Sequence, residues 1–289
     1  MNIFEEKYTL TNGVQIPKLA LGTWLIDNKA AAGAVQSAIG LGYRHIDTAQ
    51  AYGNEQGVGE GVRKSGIARE DIFVTSKVAA ENKSYQSAKA SIEESLRKTG
   101  FEYLDLMLIH SPQPWKEVNQ SDNRYTEENR EVWRAMEDAL SEGKVRAIGI
   151  SNFLEGDVKN ILEACRVKPV VNQLLAHITN TPFSLIDYCK GQDILVEAYS
   201  PIAHGEALKN PAITDMAKKY GATAAQLCIK YVLQLGLVAL PKTASPAHMK
   251  ENAELGFTIS EEDMDVLKGL EHIKDYGDSS FFPVFGGKM

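Results

Sequence analysis

Three successive apolar runs, RHIDT (44–48), DIFVTSK (71–77) and YLDLMLIH (103–110), carry Asp47, Lys77 and His110 at or beside their ends, and Tyr52 lies just beyond the first run. An acid, an amine, an imidazole and a phenol at the ends of neighbouring strands are groups that move protons. A lysine in such a place can also form a Schiff base with a carbonyl substrate. Singly, each has a plainer role. Asp47 can cap the helix that follows, Tyr52 can anchor a loop, Lys77 can be solvated and His110 can be a satisfied structural residue. Together they exceed what a core needs.

The elements that would position them follow from the hydrophobic pattern. Besides those three runs, LALG (19–22), VRAIGIS (145–151), VVNQ (170–173), ILVEAYS (194–200) and LVALPK (237–242) read as strands covered on both faces. Between the runs, 29–41, 84–99, 128–142 and 223–235 space their apolar residues for helices. Eight βα units favour a closed (β/α)8 TIM barrel, read as one domain over residues 1–289. An open doubly wound sheet is disfavoured, because the first βα turn, GTWLIDNKA, lacks a GxGxxG fingerprint. YTLTNGVQIP, with its Asn12-Gly13 turn, predicts a β-hairpin plugging the barrel bottom. In a barrel the chemistry gathers at the C-terminal ends of the strands. Those ends supply Trp24, Asp47, Lys77, His110, Ser151, Asn152, Gln173, Tyr199, Ser200, Lys242 and Thr243.

Composition narrows the partners. The chain has 289 residues, a net charge of −7 and 44% hydrophobic residues, which is globular and lacks the basic footprint for nucleic acid or an anionic membrane. Three cysteines, Cys165, Cys189 and Cys228, form no CxxC pair and suggest no disulfide framework. MNIFEEKYTL has no secretory signal character, and no apolar run approaches the roughly 18 residues that span a bilayer. The expectation is a soluble, reduced, cytoplasmic protein.

GYRHIDTAQAYGNE (42–55), YLDLMLIHSP (103–112), AIGISNF (147–153) and LPKTASPAHMKEN (240–252) occur in the order and spacing of the aldo-keto reductase family. The chain resembles that family over essentially its whole length, and most of all its short bacterial members of the 2,5-diketo-gluconic acid reductase type. The resemblance implies a monomeric, metal-free carbonyl reductase that uses a nicotinamide. By position Tyr52 matches the proton donor, Lys77 and Asp47 the pair that tunes it, and His110 the imidazole that orients the carbonyl. The chemistry agrees. A free phenol, with pKa about 10, is a poor acid at neutral pH, and a nearby ammonium favours its phenolate.

The resemblance also implies a cofactor set. Gly22, Thr23 and Asp47 belong to it, with Ser151, Asn152 and Gln173 toward the nicotinamide carboxamide and Tyr199 stacked on the ring. Ser200, Ile202, His204 and Gly205 would cover the pyrophosphate. Lys242, Thr243, Ser245 and His248 would hold the 2′-phosphate, and Glu251 and Asn252 the adenine. Arginine is usual at position 248, so NADPH is expected with NADH tolerated.

For substrate, Trp24, Tyr52, His110, Ser111 and Trp115 are the expected lining. Ser111 and Ala79 stand where many members carry aromatics, which predicts an open pocket and a broad range reaching bulky ketones. The tail, DYGDSSFFPVFGGKM, is short, so its part in selectivity is expected to be reduced. Two other functions compete: a Schiff-base aldolase acting through Lys77, and a non-catalytic nicotinamide sensor. Tyr199 and the 2′-phosphate segment argue against the first. The intact catalytic positions and the lack of an interaction tail argue against the second.

Overall fold

The computed structural model describes residues 2–287; Met1 and the last two residues of the tail, Lys288 and Met289, lie outside them. Each of the eight apolar runs forms a strand: β3 (Leu21–Gly22), β4 (His45–Asp47), β5 (Phe73–Val78), β6 (Leu106–Ile109), β7 (Ile148–Ser151), β8 (Val171–Leu175), β9 (Leu195–Tyr199) and β10 (Val238–Leu240). Neighbours in sequence are neighbours in the sheet, and all pair in parallel. The first strand meets the last through bridges at Leu19–Ala239 and Gly22–Lys242, with Ala20 N–H donating to the Ala239 carbonyl at 3.0 Å. That closes the barrel. Every residue of β4, β5, β6, β7 and β10 is buried, as in parallel strands covered on both faces, and β6 and β10 are apolar throughout.

Among the described residues ten α-helices lie outside: α1 (Asn28–Leu41), α2 (Glu55–Lys64), α3 (Tyr85–Thr99), α4 (Thr126–Ser141), α5 (Glu155–Ala164), α6 (Phe183–Gly191), α7 (Pro211–Lys219), α8 (Ala224–Gln234), α9 (Pro246–Ala253) and α10 (Glu261–Lys268). Their ends follow local chemistry. Ser84 caps α3 and Thr223 caps α8, each in a reciprocal capping box. Gly42 ends α1 at φ 119°, where an added Cβ would come within 2.6 Å of the Phe4 ring.

The expected hairpin is present as β1 (Lys7–Thr9) and β2 (Gln15–Pro17), turning through Asn12 and Gly13, the latter at φ 85°. Leu10 and Ile16 pack among Phe73, Leu106, Ala147, Val170 and Val238, residues that open their strands or just precede them, so the hairpin seals the N-terminal end of the barrel. Asn12 fastens it by donating to the Arg146 carbonyl at 3.0 Å. With that end closed, the wide opening among the described residues is at the other end of the barrel. Ile16 is wholly buried in the plug. Ile16→Ala should therefore lower the unfolding free energy by about 2–5 kcal/mol, read as a lower urea midpoint at unchanged m-value.

Candidate active site

Asp47 ends β4, and Lys77 projects from the next strand, β5, near its C-terminal end. Tyr52 closes a one-turn 3-10 helix, Gln50–Tyr52, held against the barrel by its first residue. The Gln50 amide accepts from Ala79 N–H at 2.9 Å and donates to the Ser91 carbonyl and the Ser95 hydroxyl of α3. The Lys77 ammonium is wholly buried and uses its three donors: Asp47 Oδ1 at 2.7 Å, the Thr48 carbonyl at 2.9 Å and Tyr52 Oη at 3.3 Å. His110 stands just past β6, with its ring edge-on to Tyr52 at a centroid distance of 5.6 Å. The four groups expected to act together are together. Asp47 does not cap α2; Asn54 occupies the N-cap position of that helix.

The electrostatics assign protons. Burial alone would lower the Lys77 pKa, but Asp47 and Tyr52 more than offset it, so the amine is held above its ordinary value and stays charged. Tyr52 departs from the expectation of a lowered pKa. Burial raises it, and Lys77 only pulls part of the way back. Tyr52 therefore carries its proton at neutral pH, and the ammonium beside it is placed to stabilise the phenolate once that proton leaves. His110 is driven well below its ordinary value, first by burial and then by Lys77, so its ring is neutral and keeps one N–H. A protonated Lys77 with no spare donor is no nucleophile, which removes the ground for a Schiff base.

A cavity of about 450 Å³ opens above these residues at the C-terminal mouth. Of the residues named for the cofactor, Gly22, Thr23, Asp47, Ser151, Asn152, Gln173, Tyr199, Ser200, Ile202, His204, Gly205 and Lys242 line it. Tyr199 Oη donates to Asn152 Oδ1 at 2.7 Å, which fixes the ring's attitude in the cavity wall. Asn152 Nδ2 is bonded to the His110 carbonyl and Ser151 Oγ, so this amide braces the site from within. Gln173 differs. Its Nε2 serves two carboxylates, while its Oε1 has no partner among the described residues. A free amide acceptor beside an aromatic wall suits a nicotinamide carboxamide. The loop after β9 holds Ser200, Ala203 and His204 at positive φ, a local strain of the kind that collects at ligand sites.

Thr243, Ser245, His248, Glu251 and Asn252 do not line this cavity. They continue from Lys242 into α9, where Ser245 is the N-cap and His248 is exposed on the first turn. Asn252 is buried.

On the substrate side the expected pair, Trp24 and Trp115, both line the cavity. Trp115 stands edge-on to His110 at 4.9 Å. Ser111 lies elsewhere: it is buried and borders an adjoining groove with Leu175 and Leu185, outside the cavity lining. The chain turns away after His110, and the indole of Trp115 covers the imidazole instead. The short tail contributes more than its length suggested. Phe282, Val284 and Phe285 line the cavity, and the Phe282 ring lies 5.4 Å from Trp24 and 4.9 Å from Trp115. Asn119, in the long loop after β6, ties to the tail through the Pro283 carbonyl at 2.8 Å. Sequence reasoning missed these three residues; the FFPVF cluster in a polar tail was the available signal.

Among the described residues no helix is long and apolar enough to cross a membrane, and no group of three or more His, Cys, Asp or Glu could hold a metal ion. The described residues thus form a closed (β/α)8 barrel with a buried Asp47–Lys77–Tyr52 cluster under an aromatic-walled cavity at one mouth. Residues 18–272 match the Aldo/keto reductase family. The chain is 41% identical to the glyoxal reductase of Bacillus subtilis (strain 168) over 263 residues, covering 90% of this chain and 91% of that one. An aldo/keto reductase from Brucella melitensis superposes with a TM-score of 0.84 at 37% identity, over 91% of this chain and 98% of the other. A Bombyx mori aldo-keto reductase in complex with NADP gives 0.85 at 30%, over 97% and 98%. The chain belongs to the aldo-keto reductase family, enzymes that act on carbonyls with a nicotinamide cofactor.

The placement of the walls has a measurable consequence. Phe282→Ala should change the ratio of kcat/KM for bulky ketones to that for small aldehydes by about threefold or more, since a half-buried aromatic wall carries on the order of 1 kcal/mol of contact or more. Ser111→Trp should leave that ratio within about twofold. A large shift from Ser111→Trp would mean that position 111 reaches the substrate.

Proposed function

We propose that this protein reduces aldehydes and ketones to alcohols with NADPH, with Tyr52 as proton donor, Lys77 and Asp47 tuning it, and His110 orienting the carbonyl. The observation that carries this reading is the buried Lys77 ammonium shared between Asp47 Oδ1 and Tyr52 Oη. Bound reduced nicotinamide supplies the hydride. Gln173 and Tyr199 would hold its carboxamide and ring. The substrate oxygen is received between the Tyr52 hydroxyl and the neutral His110 ring, both of which line the cavity. As charge builds on that oxygen, His110 donates a hydrogen bond and Tyr52 gives up its proton. Lys77 then faces a phenolate it can stabilise, and Asp47 keeps Lys77 charged and in place. Trp24, Trp115 and Phe282 exclude water and favour apolar carbonyl substrates. The Bacillus relative is named for glyoxal, which makes that dicarbonyl one of the first substrates to assay.

Tyr52→Phe should bind cofactor as wild type does and lose about 10²- to 10⁴-fold in kcat, the usual worth of general acid catalysis. Lys77→Met should do comparable damage. Cofactor binding read by quenching of protein fluorescence, beside steady-state rates, separates lost chemistry from lost binding; retention of half the turnover by Tyr52→Phe would remove the proton-donor role.

Cofactor preference rests on the segment after β10. Lys242 offers a point charge and Thr243 a hydroxyl, whereas His248 lacks the planar fork by which an arginine grips a phosphate. NADPH is preferred, with measurable NADH activity. His248→Arg should raise the NADPH-to-NADH ratio of kcat/KM by about 10- to 100-fold, the worth of one charge-assisted bond. An unchanged ratio would leave His248 no part in the choice.

A further inference from the structure

Directly beneath the Asp47–Lys77 pair the barrel buries a second acid. Glu197, from the middle of β9, is wholly inaccessible to solvent. Its Oε2 accepts from Gln173 Nε2 at 2.9 Å, and the same nitrogen donates to Asp47 Oδ2 at 2.8 Å. One amide thus bridges two carboxyl groups. Glu197 Oε1 has no hydrogen-bond partner and stands 3.8 Å from His45 Nε2.

The surroundings contain a single nearby cation and two acids. The titratable groups around Glu197 are Asp47 and His45 from β4, Lys77 from β5 and, above them, Tyr52. On the other flank β10 contributes Val238, its register partner, and β8 contributes the uncharged Gln173. His45 cannot serve as a second cation. Its Nδ1 lies 3.3 Å from the Pro17 carbonyl and its Nε2 3.0 Å from Thr75 Oγ1, so the ring donates at one nitrogen and accepts at the other. Burial lowers its pKa to about 4. The Lys77 charge is matched by Asp47 alone, and a charged Glu197 would leave a net negative charge in the dry interior.

We propose that Glu197 is a positioning residue that holds a proton during turnover, and that its ionisation, relayed through Gln173 to the Asp47–Lys77 pair, switches proton donation by Tyr52 off. The switch acts by charge. A second carboxylate below Lys77 draws the ammonium's field away from Tyr52 and opposes a phenolate there. Burial and then Asp47 raise the Glu197 carboxyl to about 8, which places the change just above neutral pH. The sign is fixed: reduction is favoured below that pH, where Glu197 is neutral, and declines above it.

The inference rests on the proton-donor reading of Tyr52. The experiment is the pH profile of kcat for reduction, in wild type, Glu197→Gln and Glu197→Ala, on the full-length enzyme with saturating NADPH and one aldehyde. At about pH 9 roughly a tenth of Glu197 keeps its proton, so wild-type kcat should fall about tenfold from its value near pH 7. Glu197→Gln, which keeps an acceptor for Gln173 and cannot ionise, should lose that limb, and should retain more turnover near neutral pH than Glu197→Ala. Profiles of wild type and Glu197→Gln with the same alkaline limb would overturn the proposal. If the variants fail to fold, infrared spectra of wild type with isotope-labelled glutamate decide: a protonated glutamic acid carbonyl stretch near pH 7 that vanishes by about pH 9 supports it, and no such band overturns it. Full activity in Tyr52→Phe would instead remove the proton-donor reading and leave that band untouched.

Discussion

A single buried positive charge organises this protein. Moving an ammonium out of water costs several kcal/mol unless its donors are met, and the barrel meets all three of those on Lys77. Asp47 and Thr48 come from one strand end and Tyr52 from the turn that follows it. The geometry that keeps Lys77 charged is therefore the geometry that places a phenol beside it. Removing one partner would strand a charge in a dry interior, so the folded state depends on the contacts that bring Tyr52 beside Lys77.

The rest of the fold serves that arrangement. The hairpin closes the lower mouth with Leu10 and Ile16, which leaves the C-terminal mouth as the place where a ligand can approach Lys77 and Tyr52. Around that mouth the roles divide by side. Strand ends from β7, β8 and β9 bring the Asn152 and Gln173 amides and the Tyr199 phenol to its wall, and Lys242 follows β10 there. Opposite them, Trp24, Trp115, Phe282 and Phe285 come from loops and the tail. Cavity walls carried on loops can change without disturbing Asp47 and Lys77 on the strands, as is usual for barrel proteins.

Much of this was legible in the residues themselves. Eight buried runs with helical segments between them point to the barrel, and Asp47, Lys77 and His110 stand where strands end. The hairpin could be read from Asn12-Gly13 between alternating residues. Three things were not legible. Burial raising the Tyr52 pKa depends on how the cavity is walled. The contribution of Phe282 and Phe285 depends on a tail with no periodic pattern, placed by Asn119 and by packing on Trp115. Ser111 was read from its resemblance to a position where many members carry an aromatic, but the small buried side chain here borders the adjoining groove. Glu197 sat in plain view inside ILVEAYS, a charge in the middle of a buried run, and only its closeness to Gln173 and Asp47 gives it meaning.

The central claim is that a proton held on Tyr52 moves to the substrate oxygen as the carbonyl is reduced. The most direct test is a single-turnover measurement of NADPH oxidation by an aldehyde, in ordinary water and in heavy water, for wild type and Tyr52→Phe. If the phenolic proton is in flight in the step that consumes NADPH, wild type slows in heavy water by about twofold or more, and the slower Tyr52→Phe reaction loses that dependence. A wild-type rate identical in the two solvents, or a dependence that survives in Tyr52→Phe, would contradict the account.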